Sequence, residues 1–382
     1  MCRLRVLEAR ETLAPQNKLN PLRLWCTVSG HGLGHASQLI PVLNSLRTAF
    51  PALEVRVRGA IPPQILAERL LVPWELDQVA QDVGLVQNDA FDVDPAATLG
   101  RYAEFHDSWN DRLRSEIEAI RHYDAHAVIA DIPYLPFQAA AEVGIPAIGI
   151  GSLSWDLVLK AYAFPKNHRM AQILGHIREC YRSAVVMLQV QPAMEMDTFE
   201  HLVPIPPIVN HGKNRSEELR AQLSVEREQP IALVCFGGFE CHRIPYQHLA
   251  QLGDFVFIGP NVQTPAGNVF DIRDTTFAFP DLLASADLLI SKPGYNLMME
   301  AVAAKCRIVY VRRGHFPDET TVIDWIQHAG VAVEMPATNF FAGTWGPFLR
   351  AALDRADPGE APLMNGAEVA SQYLHDFILA AA

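Results

Sequence analysis

The stretch Ile290-Ser-Lys-Pro-Gly-Tyr-Asn-Leu-Met-Met-Glu300 decides how this chain is read. It follows the apolar run Ala286-Asp-Leu-Leu-Ile290, which predicts a strand, a tight glycine turn and a helix N-terminus in that order. The free N–H groups and positive dipole end of such a helix form an anion site. Lys292 adds a positive charge at the turn, and Gly294 lets a ligand approach the backbone. Glu300 lies about two turns into the helix, where a carboxylate accepts hydrogen bonds from a sugar diol. A phosphate joined to a ribose is the simplest ligand with that layout. An isolated Gly turn with a solvated helix acid has the same local pattern, so the rest of the chain must separate the two.

The 382 residues leave room for two domains, and with 49% apolar and 19% charged residues the chain is globular. A net charge of -12 without a long basic run argues against nucleic acid as a partner. The six cysteines, Cys2, Cys26, Cys180, Cys235, Cys241 and Cys306, contain no CxxC pair, and several lie in apolar runs. They read as reduced core thiols of a cytoplasmic protein. No apolar stretch is long enough to span a bilayer, although peripheral contact with a membrane stays open. Residues 1–20 mix Arg, Glu, Pro and Asn without a signal-like apolar segment, which predicts a mobile extension.

From residue 22 short apolar runs alternate with helical patterns. The first unit is a strand, Leu22 to Val28, then Ser29-Gly-His-Gly-Leu-Gly-His35, then a helix over 36–50. One amphipathic helix is expected over 98–123, with Asp94 as the N-cap of the helix near Pro95. Buried strands are expected at 127–131, 144–151 and 184–190. Pro204-Ile-Pro-Pro-Ile-Val-Asn-His-Gly-Lys-Asn214 reads as a linker, followed by a helix capped by Ser216. The second half then repeats the opening: strand 231–235, Gly237-Gly238, and a helical stretch reaching Leu252. The boundaries are 21–205, a linker over 206–215, 216–362, and a terminal helix over 363–382 that can return to the first domain. The class is α/β: two Rossmann-like parallel-sheet domains facing across a cleft, with their Gly loops at the carboxyl ends of the strands.

Gly30, Gly32 and Gly34 do not complete a dinucleotide fingerprint, because the third fingerprint position falls on His35. The second strand also ends in Arg56-Val-Arg58 without a ribose-binding acid. His31 and His35 have no third ligand nearby, so no metal is expected. His35, at the helix mouth, is the first choice of general base, and the helix end is expected to disfavour its protonated form. His31 is the alternative. Asp131 ends a strand on the cleft side, where it would orient a histidine, bind an acceptor hydroxyl or cap a turn, and Asp156 is open to the same readings. Asp318 and Glu319 stand where paired carboxylates meet sugar hydroxyls, or where helix-end acids meet a dipole. The loop 77–95 and the Trp155 region are expected to shape an acceptor pocket.

Lys292-Pro-Gly-Tyr-Asn-Leu-Met-Met-Glu300 resembles the His-Cys-Gly-Trp-Asn-Ser-x-x-Glu core of plant UDP-glycosyltransferases, with Gly294, Asn296 and Glu300 in register. The run into Lys292 also resembles the donor loop of the peptidoglycan N-acetylglucosaminyltransferase. Gly30-His-Gly-Leu-Gly-His35 is similar to the Gly-His-Gly-Phe-Gly-His signature of the group containing the glycosyltransferase-like N-terminal half of plant L-arabinokinase. The resemblance covers most of residues 22–330. It implies a GT-B fold and an inverting, metal-independent transferase that uses a UDP-sugar as co-substrate and a hydroxyl acceptor, without another cofactor. It also implies that Lys292, Gly294 and Asn296 face the diphosphate, Gly237 and Gly238 line the phosphates, Pro293 and Tyr295 belong to the donor-binding turn, Glu300 meets the ribose, and Asp318 and Glu319 meet the donor sugar. Leu297, Lys292 and Glu319 depart from the pattern, replacing a hydroxyl, a His and a Gln. A nucleotide-sugar hydrolase or epimerase, and a non-catalytic nucleotide-sugar-binding module, are the alternatives on the same fold.

Overall fold

The computed structural model describes residues 21–381 except 163–166, 239–240, 242, 264–266, 315, 357–358 and 360–361. The extension expected over residues 1–20 lies outside the described residues. The first sheet contains β1 (Arg23–Val28), β2 (Glu54–Arg58), β3 (Trp74–Asp77), β4 (Ala127–Asp131), β5 (Ala147–Gly151), β6 (Val186–Val190) and β7 (Leu202–Ile205). Its order is β3-β2-β1-β4-β5-β6-β7, all parallel. The second contains β8 (Ile231–Val234), β9 (Val256–Gly259), β10 (Val269–Asp271), β11 (Leu288–Ser291), β12 (Arg307–Tyr310) and β13 (Ala332–Glu334). Its order is β10-β9-β8-β11-β12-β13, also parallel. β4 and β5 are buried along their whole length, as strands covered by helices on both faces must be.

Strand order reverses between β1 and β4 in one sheet and between β8 and β11 in the other. Loops leaving neighbouring strands diverge at these switch points and open a crevice. All four strands there end in residues singled out from the sequence: Ser29–His35, Asp131, Gly237–Gly238 and Lys292–Asn296. An apolar core runs from the first lobe (Leu24, Leu39, Leu43) through Tyr295 and Leu297 to Leu233 and Ile308 in the second. The helix Gly366–Ala381 packs along the helix Gly34–Ala49, with the Phe50 and His375 rings 5.4 Å apart. Gly366 N–H donates to Pro207 O at 3.0 Å, which joins this helix to the 206–215 segment.

Several local expectations change. The helix expected over 98–123 is two, Pro95–Asp107 and Trp109–Tyr123. The Ser108 hydroxyl between them donates to Phe105 O and accepts from Arg112 Nε at 2.8 Å, competing with the helical ladder. Asp94 does cap the first of these, accepting from Ala97 N–H at 2.8 Å. Ser216 is not an N-cap. It is the first residue of the helix Ser216–Leu223, and its N–H donates to Asn214 Oδ1. The helical stretch expected up to Leu252 contracts to Tyr246–Leu249. Strands β3, β7, β10 and β13, of three or four residues each, are too short to show a period in sequence. Among the described residues no helix is long and apolar enough to cross a membrane.

Candidate functional site

β1 delivers the chain into Ser29–Gly34, where Gly32 turns at φ 76°, a left-handed conformation that costs other residues energy. His35, the second residue of the helix Gly34–Ala49, then lies beside the end of β4, because Val28 and Asp131 are paired in the sheet. His35 Nδ1–H donates to Asp131 Oδ1 at 2.7 Å, with the carboxylate fully buried and the imidazole 11% exposed. This bond leaves Nε2 as the accepting nitrogen. Burial disfavours the imidazolium, but Asp131, through charge and hydrogen bond, together with Asp82 and Asp318, outweighs it, and the His35 pKa rises. The lowering expected from the helix end is thus overturned by carboxylates that come from distant parts of the chain.

His31 is placed differently. Its Nδ1 accepts from Leu85 N–H at 3.2 Å, which puts the ring proton on Nε2. Nε2–H then meets the Gln87 amide at 3.0 Å, in the orientation that turns the amide oxygen to the ring. Burial, followed by the charges of His35, Lys292 and Arg313, pushes His31 down to about 3. It is a neutral bridge between the Gly loop and the 85–93 segment, and a weak base.

On the opposite wall, β11 ends in Lys292-Pro293-Gly294 and the helix Tyr295–Ala303 begins, with its N-terminus capped by no side chain. Lys292 is buried. Burial, then Arg313, pulls its pKa down to about 7, against the pull of Asp318 and Glu319. Gly238 approaches the first lobe so closely that an added Cβ would stand 2.9 Å from Leu33 Cγ. A cavity of about 150 Å³ lies between the walls, lined on one side by His31, Gly32, Gly34 and His35. Gly237, Gly238, Lys292, Gly294, Tyr295, Asn296 and Asp318 line the other, and Leu85, Gln87 and Trp155 also reach it. Gly30, Pro293, Glu300 and Glu319 do not line this cavity.

Two residues of this second wall, both expected from the sequence to meet the donor, are engaged across the lobes. Asn296 Nδ2–H donates to Gly34 O at 2.6 Å, while its Oδ1 accepts from Gln38 Nε2 at 3.0 Å. Tyr295 O–H donates to Gln191 O at 2.5 Å. One helical turn beyond Asn296, Glu300 accepts from Asn210 Nδ2 at 2.8 Å, and burial raises its pKa. Asn210 with Arg69, His211 and Phe279 lines a second cavity of about 590 Å³. Glu319 is held by Arg313, accepting from its N–H at 3.0 Å and from its guanidinium. Both carboxylates of 318–319 pair with Arg313, Asp318 at 3.7 Å, but only Asp318 also faces the cavity, and the Arg313 guanidinium lies 3.5 Å over the Phe316 ring. Asp156 serves a buried network with Ser154, Thr198 and Arg178. Gln38, Asn210 and Asp82 escaped sequence reasoning because their partners Asn296, Glu300 and Trp155 are 258, 90 and 73 positions away; for Arg313, in an irregular segment, only its charge beside a strand end was a usable signal.

No protein-family model matches the chain. L-arabinokinase of Arabidopsis thaliana is 26% identical over 354 residues, 91% of this chain and 34% of that protein, so the chain spans about a third of that relative's length. Among solved structures, the calicheamicin glycosyltransferase CalG4 superposes with a TM-score of 0.62 at 16% identity, over 94% of this chain and 98% of that one. UGT71G1 of Medicago truncatula, complexed with UDP-glucose, gives 0.61 at 12% identity over 94% and 98%. MurG of Acinetobacter baumannii gives 0.52 at 15% identity over 94% and 100%. These likenesses establish the GT-B architecture that the sequence resemblance implies.

Proposed function

We propose that the chain is a glycosyltransferase that moves a sugar from a UDP-sugar to a hydroxyl acceptor with inversion, without a metal or other cofactor, in the cytoplasm. The observation that carries this reading is His35, held from behind by the buried Asp131, on one wall of a cavity whose other wall holds Lys292, Gly237–Gly238 and an open helix end. In this reading His35 Nε2 takes the acceptor's hydroxyl proton as its oxygen bonds to the anomeric carbon. The bond from that carbon to the diphosphate breaks on the opposite face, and its electron pair leaves with UDP. Lys292 and the N–H groups of the helix Tyr295–Ala303 stabilise the leaving charge. Glu300 and the 590 Å³ cavity beside Asn210 take the nucleoside. The likeness to UGT71G1 complexed with UDP-glucose supports the donor class.

Calorimetric titration with UDP, dTDP and GDP tests the donor side on wild type and Glu300→Ala. Selective UDP binding that falls about tenfold in the variant, the scale of one lost hydrogen bond to a charged group, is expected. Release of UDP from UDP-sugars in the presence of candidate acceptors tests transfer. A second reading, a non-catalytic nucleotide-sugar-binding module, draws on Asn296 and Glu300 being tied to protein partners and on apolar Leu297 at the cavity. It takes first place if UDP binds and no UDP-sugar is consumed. Failure of all three nucleotides to bind removes both.

A further inference from the structure

The segment after β3 carries a buried carboxylate that the proposed chemistry does not yet use. Asp82 is 7% exposed, and its Oδ2 accepts from Trp155 Nε1 at 2.6 Å. Its other hydrogen bond comes from the Ser29 side chain, so both donors are neutral. Ser29 stands at the mouth of the Gly loop, where its N–H donates to Asp131 O at 2.9 Å and its Oγ accepts from His31 N–H at 3.3 Å. The Trp155 indole that Asp82 holds packs against both histidines, with ring centroids 5.8 Å from His35 and 5.5 Å from His31. One carboxylate thus ties together the indole beside His35 and the first residue of the loop that delivers it.

We propose that Asp82 is a positioning residue for His35: it fixes Trp155 and Ser29 around the imidazole and supplies a second negative charge to the imidazolium formed when His35 takes a proton. This rests on His35 as the proton acceptor of the reading above. A charge in a water-poor site acts over a longer range than it would in water, so Asp82 needs no direct hydrogen bond to His35. Among the described residues the titratable groups acting on the imidazole are Asp131 from β4, Asp82 from the segment after β3, Asp318 from the start of the helix Glu319–Ala329, and the neutral His31 from the Gly loop. Lys292 and Arg313 act from the far wall on His31. Asp131 and Asp82 also repel each other, and burial raises the pKa of both. Protonation of His35 relieves that repulsion, because the new positive charge faces both carboxylates.

The test is an NMR titration of the full chain labelled at histidine and aspartate, with no substrate present. In Asp82→Asn the His35 midpoint is expected to fall by about half a pH unit or more, since a charge favouring the imidazolium is gone. An unchanged midpoint in a folded variant overturns the proposal. If Asp82→Asn does not fold, wild type still decides: the Asp82 carboxyl carbon must show a step at the His35 midpoint, and His35→Gln must remove it. No such step refutes the coupling. Because neither readout uses a nucleotide, the His35 shift can appear where UDP-sugar transfer fails, and transfer can occur where the shift is missing. The two ideas therefore fail separately.

Discussion

After β1 the chain turns through Ser29–Gly34 into a helix of 16 residues, and after β11 it turns through Lys292–Gly294 into one of 9. Both turns sit beside a switch point, and both point a helix N-terminus at the same cavity. Their chemistry is opposite. The first places a histidine among carboxylates, Asp131, Asp82 and Asp318, which favour taking up a proton. The second buries Lys292 beside Arg313, a pair that favours an anion, and burial followed by Arg313 makes the lysine lose its proton more readily. The same backbone device thus favours a proton on one side and, in the proposed function, an anion on the other, and the side chains imported from elsewhere decide which. A helix end contributes only partial charge, whereas a buried full charge at hydrogen-bond distance dominates it.

Removing the base side should have the largest effect. His35→Ala is expected to lower the rate of sugar transfer by about 10²–10⁴-fold while UDP affinity stays constant, read by parallel kinetics and calorimetry. Loss of UDP binding along with rate would mean that the two turns are not chemically separate. On the anion side, Lys292→Met should weaken UDP binding by about 10–100-fold, the scale of one charge-assisted hydrogen bond. The two sides also predict opposite pH limbs. Transfer should rise as pH climbs through the His35 midpoint, which lies above the ordinary 6.5, because the base must be neutral. UDP affinity should fall as pH climbs through about 7, where Lys292 loses its charge, by up to about tenfold per pH unit. Lys292→Met should remove that falling limb and leave the rising one.

A smaller change tests the join between the turns. Asn296→Ala removes the donor to Gly34 O and the acceptor of Gln38, and should cost about 1–2 kcal/mol in urea unfolding. An unchanged midpoint would show that apolar packing through Tyr295 and Leu297 alone holds the lobes. The smallest effect belongs away from both turns. Asp94→Ala should cost about 1 kcal/mol of stability through the lost cap and leave UDP affinity unaltered.

Much of this was legible before any coordinates. Both strand–Gly–helix units, the buried strands β4 and β5, and the terminal helix 366–381 announce themselves by local pattern, because strand and helix periods and Gly turns are local physics. Ser108 divided a helix that the periodicity drew as one, since a hydroxyl competing for backbone bonds leaves the apolar spacing intact. In the candidate site, Lys292, Gly294 and His35 were visible as residue types at a turn. The hydrogen-bond partners of Glu300 and Glu319 were not. Asn210 and Arg313 engage those carboxylates, and no period or spacing along the chain records such a partner.

By itself the amino-acid sequence determined the α/β class, the two Gly turns that open helices, and the residue types available at them. Only the tertiary structure decided that His31 is a neutral bridge and that His35 stands among carboxylates. It also decided that Asn296 joins the lobes and that Lys292 is buried near a second cation. The reason is electrostatic. Protonation and hydrogen-bond partnership depend on distances of a few ångströms between residues such as 35 and 131, or 34 and 296, which the sheet order and lobe packing set and sequence separation does not.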